Sequence, residues 1–403
     1  MKTSKTFCVL PFMSLATNAS GNLRVCCNVI PGKGFIKKPN GDIYKIYKDD
    51  MQEAWNSEVY QTLRQQMLDG ERPEMCARCF KEEDAGIKSA RAGWNNTYYF
   101  VDRDLPPDWH LTNEVDTSNY SREAPFDIKY VDLRLGNLCN LKCRMCNPYA
   151  SNLWVKEWHL VNDALSPNEY ERLSKMNWPE EEKTWENMFA IAHTVEEIYL
   201  TGGEPTVIQE QRRLLDYFID NGTAKDIRLK YNTNLVKVPD WLVEKWSHFK
   251  RIKLNCSIDA VGELDHYIRY PSKWPTVEKN FARLQELNNA HIEIHCTVQM
   301  YNILRMPALF DWAEPFEYKV YLNILNHPDY LNIQCLPQQL KQQAEQQLEP
   351  YLHKPKVKDV IKYMWDQDWS HKLPDFYKYT HTLDQSRDED LYSIVPEFKQ
   401  YEQ

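Results

Sequence analysis

The sequence predicts an α/β protein: a partial, parallel (β/α)6 barrel with a small cysteine-rich unit ahead of it and a helical carboxyl-terminal tail behind. Three observations predict it. From residue 127 onward strand-like and helix-like segments alternate, which is the signature of parallel strands joined by helical crossovers. The strand-like segments alternate polar and apolar residues. Eight of the eleven cysteines fall into two groups, one ahead of these segments and one directly after the first of them.

Residues 1–92 carry Cys8, Cys26, Cys27, Cys76 and Cys79 and the loop signals Pro31-Gly32-Lys33-Gly34 and Pro39-Asn40-Gly41-Asp42, which read as a loop-rich unit organised by metal. The first twenty residues imitate a secretory leader, with Lys2 and Lys5 before an apolar run at 7–13. Pro11 interrupts that run, and Ser14, Thr17 and Asn18 turn it polar early, so the segment is read as part of the folded protein. Residues 93–126 are polar and irregular, with Pro106-Pro107, and are expected to be a connector. Strands are expected at 128–135, 197–201, 227–233, 251–259, 291–300 and 318–325, with helices at 209–221, 240–248 and 276–287. The barrel domain is placed at 127–337. The tail, 338–403, shows helical spacing at Leu340, Ala344 and Leu348 and is expected to pack as helices on the outside.

Composition narrows the function. The 403 residues are 42% hydrophobic and 27% charged, with a formal net charge of −9, so the chain is globular and shows no basic footprint for nucleic acid. No apolar run reaches the length of a membrane span. Cysteines grouped for metal, and odd in number, point to a reducing cytoplasm.

A strand buried on both faces of a parallel sheet ordinarily reads as continuously apolar. Here one face carries Asp132 and Arg134; Arg228, Lys230, Asn232 and Asn234; Lys253, Asn255, Ser257 and Asp259; Glu293, His295, Thr297 and Gln299; and Tyr321 and Asn323. Period two places each set on one side, and the reading is a polar lumen that holds a ligand. Asn232, Lys253, Glu293, His295 and Gln299 are the expected substrate contacts.

The run Cys139-Asn-Leu-Lys-Cys143-Arg-Met-Cys146 at the mouth of the first strand suits a cubane iron–sulfur cluster with three thiolates and one open iron. After the second strand comes Thr201-Gly202-Gly203-Glu204-Pro205, where glycines permit close backbone approach and a carboxylate can accept from an ammonium group. With the C-x3-C-x2-C spacing, these residues resemble the radical S-adenosylmethionine (SAM) enzymes over 128 to about 330. The resemblance implies a SAM-binding 4Fe-4S cluster on Cys139, Cys143 and Cys146. It also implies SAM contacts from Gly202, Gly203 and Glu204 (to the amino group), from Arg269 (to the carboxylate) and from Asn234 and Ser257 (to ribose or carboxylate). Met145 stands where many members of that family have an aromatic residue.

The pattern Cys8, twelve residues, Gly21, four residues, Cys26, then Trp55-Asn56-Ser57 and Cys76-Ala77-Arg78-Cys79 resembles the twitch module, the one-cluster relative of the SPASM extension, here ahead of the barrel. It implies an auxiliary 4Fe-4S cluster on Cys8, Cys26, Cys76 and Cys79, with Cys27 as the alternative to Cys26; four thiolates also suit structural zinc. Cys256 and Cys296 fall on the apolar phase and read as small core residues. The direction of Cys335 is open, and it and Cys27 are candidate hydrogen-atom donors.

The function so implied is reductive cleavage of SAM to a 5′-deoxyadenosyl radical and hydrogen abstraction from a peptide or small polar substrate. The net change is an oxidation, with flavodoxin or ferredoxin as electron donor. A non-catalytic iron–sulfur or zinc protein that carries electrons or senses is the alternative, but it has no use for Gly202, Gly203, Glu204 and Arg269.

Overall fold

The computed structural model describes residues 3–30, 32–86, 88–99, 115–316 and 319–402. Among the described residues there are ten strands: β1 Thr3–Ser4, β2 Ser14–Thr17, β3 Leu23–Arg24, β4 Val115–Asp116, β5 Tyr130–Arg134, β6 Glu197–Thr201, β7 Arg228–Thr233, β8 Arg251–Ser257, β9 Ala290–Val298 and β10 Val320–Ile324. Eight form one open sheet in the order β10-β9-β8-β7-β6-β5-β2-β3. All neighbours in it are parallel except β2 and β3. The six expected strands are β5 to β10, in sequence order.

Their apolar phase builds the core. Val131, Leu133, Ile198, Leu200, Leu229, Ile252, Leu254, Ile292, Ile294 and Val298 are all buried, and the crossover helices cover them. Helix Arg212–Asp220 contributes Leu214, Leu215 and Phe218, and helix Trp274–Gln285 contributes Val277, Phe281 and Leu284, each at the three-and-four spacing that makes one apolar face. Pro275 sits in the first turn of the second helix, where its missing N–H costs no hydrogen bond.

The structure revises several expectations. β8 and β9 end before residues 259 and 299, because Asp259 turns to accept from the Thr297 N–H at 2.6 Å and to pair with Arg269. Residues 93–99, expected as connector, belong to helix Ala90–Tyr99. In that helix Asn95 is buried and its side chain bridges the Val9 N–H and the Phe7 carbonyl. Pro106-Pro107 lies outside the described residues. The amino-terminal unit supplies β2, whose pairing Ser14↔Tyr130, Leu15↔Val131 and Ala16↔Asp132 extends the barrel sheet past its first strand.

The tail forms helices Gln338–Leu348, Val357–Asp366 and Leu373–Arg387. The last of them does more than coat the outside, because it packs on the loop that follows β5. Among the described residues no helix is long and apolar enough to cross a membrane.

Candidate functional site

Strand register assembles the lumen tier by tier. One tier runs Arg24, Ala16, Asp132, Tyr199, Lys230, Lys253 and His291 across β3, β2, β5, β6, β7, β8 and β9. The next holds Asn232, Asn255 and Glu293, and above it stand Ser257, His295 and Tyr321. At the β9 side the groups satisfy one another: Glu293 takes Lys253 at 2.9 Å, His291 at 3.1 Å and His295 at 3.4 Å, and His295 stacks on Tyr321. At the β5 side they do not. Both carboxylate oxygens of Asp132, which is 1% exposed, lack a hydrogen-bond partner, as does Arg134 Nε; on β8 Asn255 donates to Asn232 but leaves its own Oδ1 without a partner. The Asp132 and Arg134 side chains stand 4.0 Å apart. Lys230 lies over the Tyr199 ring, with its pKa lowered by burial and then by Lys253. Of the expected substrate contacts, Asn232, Lys253, Glu293 and His295 face the lumen. Gln299 has turned in beyond β9, its Oε1 buried and without a partner.

The two cysteine groups occupy opposite ends of this lumen. Cys139, Cys143 and Cys146 follow the carboxyl-terminal end of β5. β3 runs antiparallel to β2, so the chain entering Cys26 returns to the level where β5 begins, and Cys8 likewise precedes β2. With ~3.3 Å of rise per residue, the five residues of β5 put about 16 Å of sheet between the two ends.

The loop after β5 is fixed by backbone bonds. The Lys142 and Arg144 N–H groups donate to the carbonyls of Tyr270 and Ile268, and Trp154 Nε1 donates to the Cys143 carbonyl. Gly203 explains its own identity: a Cβ there would stand 2.2 Å from the Leu138 carbonyl oxygen. Gly203 N donates to the Gly136 carbonyl and Glu204 N to the Leu138 carbonyl, so the Gly-Gly-Glu segment is docked on the cysteine loop. Gly202 adds a φ of +137°, a region that favours glycine. Glu204, 2% exposed, accepts from Thr206 N and Oγ1 on one oxygen and from Asn234 N at 2.7 Å on the other; burial raises its pKa first, and these bonds oppose the rise. Asn234 reaches back to Asn140 inside the cysteine loop at 2.8 Å.

Arg269 is buried, pairs with Asp259 at 2.8 Å, and keeps its Nε unpartnered. It acts on Cys143 and Cys146, so it belongs beside the cysteines rather than on a surface helix. Ser257 ends β8 on the lumen face.

The thiols themselves fit cluster ligation. Burial first, then the neighbouring cysteines, push Cys139 and Cys76 up to about 12, and Cys8 and Cys26 are raised for the same reasons. Cys143 and Cys146 share a hydrogen bond that lowers the first and raises the second. A backbone N–H points at the sulfur of Cys8 (from Leu10), of Cys26 (from Asn28), of Cys79 (from Arg91) and of Cys139 (from Leu141). Buried sulfurs that repel one another as anions yet receive N–H donors suit a cationic iron core in place of their protons. Among the described residues no three His, Cys, Asp or Glu side chains converge on one metal ion.

Cys27 separates from this group. Its sulfur interacts with Asp132, Arg134 and Arg24, and burial followed by Asp132 raises it to about 11, whereas Cys26 interacts with its neighbour Cys27 and then with Cys8 and Cys79. Cys256 and Cys296 are fully buried as core residues, and Cys335 is buried with its thiol on the Asp329 carbonyl. Sequence reasoning missed β2, which carries no alternation and is only four residues long.

A family model described as the radical SAM superfamily matches residues 133–306, and one described as an iron–sulfur cluster-binding domain, SPASM, matches residues 8–80. No curated protein matches the sequence. Among solved structures, native anSMEcpe with bound AdoMet is similar over 56% of this chain and 60% of its own, at 14% identity and a TM-score of 0.38. Streptococcus suis SuiB bound to S-adenosylmethionine is similar over 79% of this chain and 65% of its own, at 13% identity and a TM-score of 0.37. SuiB bound to its precursor peptide SuiA is similar over 81% and 65%, at 14% and 0.35. The chain spans less than two thirds of the length of each of these proteins.

Proposed function

This chain is a radical SAM protein with a SPASM-type iron–sulfur domain ahead of its barrel, and from that premise we propose that it carries out an oxidative modification of a peptide or small polar molecule held in the barrel lumen. SAM and two 4Fe-4S clusters, held at the two ends of the lumen by the cysteines, would supply one-electron chemistry: SAM cleavage that yields a hydrogen-abstracting group, and an acceptor for the electron left on the substrate.

The chain's own residues divide the work. Cys139, Cys143 and Cys146 hold the first cluster, and Cys8, Cys26, Cys76 and Cys79 the second. Arg269, with its free Nε, takes the SAM carboxylate through a charge-assisted bond, and Glu204 takes the SAM ammonium with the lone pairs its three donors leave. Ser257 faces the ribose. Gly203 and Asn234 keep the Gly-Gly-Glu segment and the cysteine loop in register. Asp132, Arg134 and Asn255 leave donors and acceptors open in the lumen, which suits amide or hydroxyl groups of a substrate, since buried polar groups without partners are costly until something fills them. Flavodoxin or ferredoxin is the proposed reductant.

One observation carries the reading: two cysteine sets, each buried or half-buried, lie at opposite ends of a single polar lumen. A carrier or sensor needs no lumen between its metal sites. Iron and acid-labile sulfide after anaerobic reconstitution test it. About eight irons per chain are expected, falling to about four in the Cys139/Cys143/Cys146→Ala triple variant. About four falling to none would sink the electron-acceptor role of the amino-terminal set.

A further inference from the structure

The cysteine loop contains two cations, Lys142 and Arg144, and both are tied to the carboxyl-terminal helix. Arg144 sits between Cys143 and Cys146 with its side chain fully buried. Its guanidinium pairs with Asp384 and, at 2.8 Å, with Glu389, donates to the Tyr267 carbonyl, and stacks on the Tyr267 ring at 3.6 Å. Tyr379 donates to the Arg144 carbonyl, and Tyr267 donates to Asp384 at 2.9 Å. Lys142 pairs with Glu157 at 2.9 Å, and Glu157 pairs with Arg387 of the same helix at 3.0 Å. The helix thus grips the loop from both sides of Cys143. The loop's partners on the other side are residues 267–270, a segment that carries Arg269.

Resting on the cluster assignment above, we propose that Asp384 and Glu389 are positioning residues of the first cluster: through Arg144 they lock the cysteine loop onto the segment that carries Arg269, slow loss of the cluster's iron, and lower its midpoint potential. Behind the loop Lys142, Arg144 and Arg387 balance Glu157, Asp384 and Glu389; neutralising either Asp384 or Glu389 removes one negative charge, and negative charge nearby opposes arrival of an electron on the cluster. Partners beyond the ligands orient a metal site and commonly govern its affinity by about 10- to 100-fold.

The test uses the reconstituted full chain carrying Asp384→Asn and Glu389→Gln, singly and together, with Arg144→Lys as the variant that keeps the charge and loses the fork. Iron release to a chelator and the EPR-monitored midpoint potential are read separately for the two cysteine sets. Faster release from the Cys139 set by about tenfold or more, a midpoint potential moved upward in the carboxylate variants, and an unchanged amino-terminal set are expected. Wild-type release and potential in the double variant would overturn the proposal, and so would equal acceleration at both sets, which is general loosening of the fold. Absence of any iron on the Cys139 set in the unmutated protein would instead remove the cluster assignment beneath it.

Discussion

The two cysteine sets are built by opposite means. The loop after β5 places three sulfurs within eight residues and holds them from outside, through the Gly-Gly-Glu segment, residues 267–270 and the carboxyl-terminal helix. The amino-terminal set gathers Cys8, Cys26, Cys76 and Cys79 from a span of 72 positions, and each of Cys8, Cys26 and Cys79 has a backbone N–H aimed at its sulfur. On the proposed assignment the loop set has no fourth thiolate to close it, and the surrounding protein supplies the rigidity instead. A closed site is organised by its own metal.

Several variants break or sharpen this contrast. The largest effect belongs to the Cys139/Cys143/Cys146→Ala triple variant, expected to abolish 5′-deoxyadenosine formation from SAM under dithionite, measured by chromatography. Cys79→Ala comes next: iron should fall from about eight to about four per chain while 5′-deoxyadenosine formation persists, and loss of 5′-deoxyadenosine formation along with the iron would show that the sets are not independent. Gly203→Ala forces a methyl into the Leu138 carbonyl, so the loop must shift, at a cost of about 1–3 kcal/mol. Calorimetry should show a lowered Tm, and iron loss should be confined to the loop set.

A smaller effect is expected from Asp265. Burial raises its pKa to about 6 against the opposing pull of Arg269 and Ser272. The folded protein therefore retains a proton that the unfolded chain releases near pH 4. This contribution to stability is fully present below about pH 4 and is lost as pH rises through about 6, so Asp265→Asn should flatten the decline of Tm across that window. The smallest effect on metal is expected from Cys27→Ser, because its sulfur faces Asp132: iron content should match the unmutated protein, and loss of about four irons would move Cys27 into the ligand set.

Much of the site was legible because its chemistry is local. The spacing of Cys139, Cys143 and Cys146, the Gly-Gly-Glu segment and the period-two polar phase of β7, β8 and β9 each sit within ten residues. What was not legible depends on distance. Arg144 meets Asp384 across 240 positions, and nothing near either residue announces the other. Whether Cys26 or Cys27 joins the amino-terminal set depends on which sulfur faces Asp132 once β2 and β3 have docked. Gly203 was expected to make room for a ligand, whereas its free space is taken by the Leu138 backbone.

The docking of β2 has a consequence for how the molecule comes into being. Arg134 N bonds to Thr17 Oγ1 across 117 positions, so during synthesis residues 14–24 emerge with no sheet to join. Their partner strand arrives more than a hundred residues later, and distant parallel pairing is among the slower events in folding. Until β5 is in place, Cys27 has no Asp132 beside it and the amino-terminal set has no lumen above it. Iron delivered to that set before then meets a solvent-facing, loosely held group of thiols, and iron delivered afterwards meets an enclosed one. The timing of maturation thus follows from the topology of one four-residue strand.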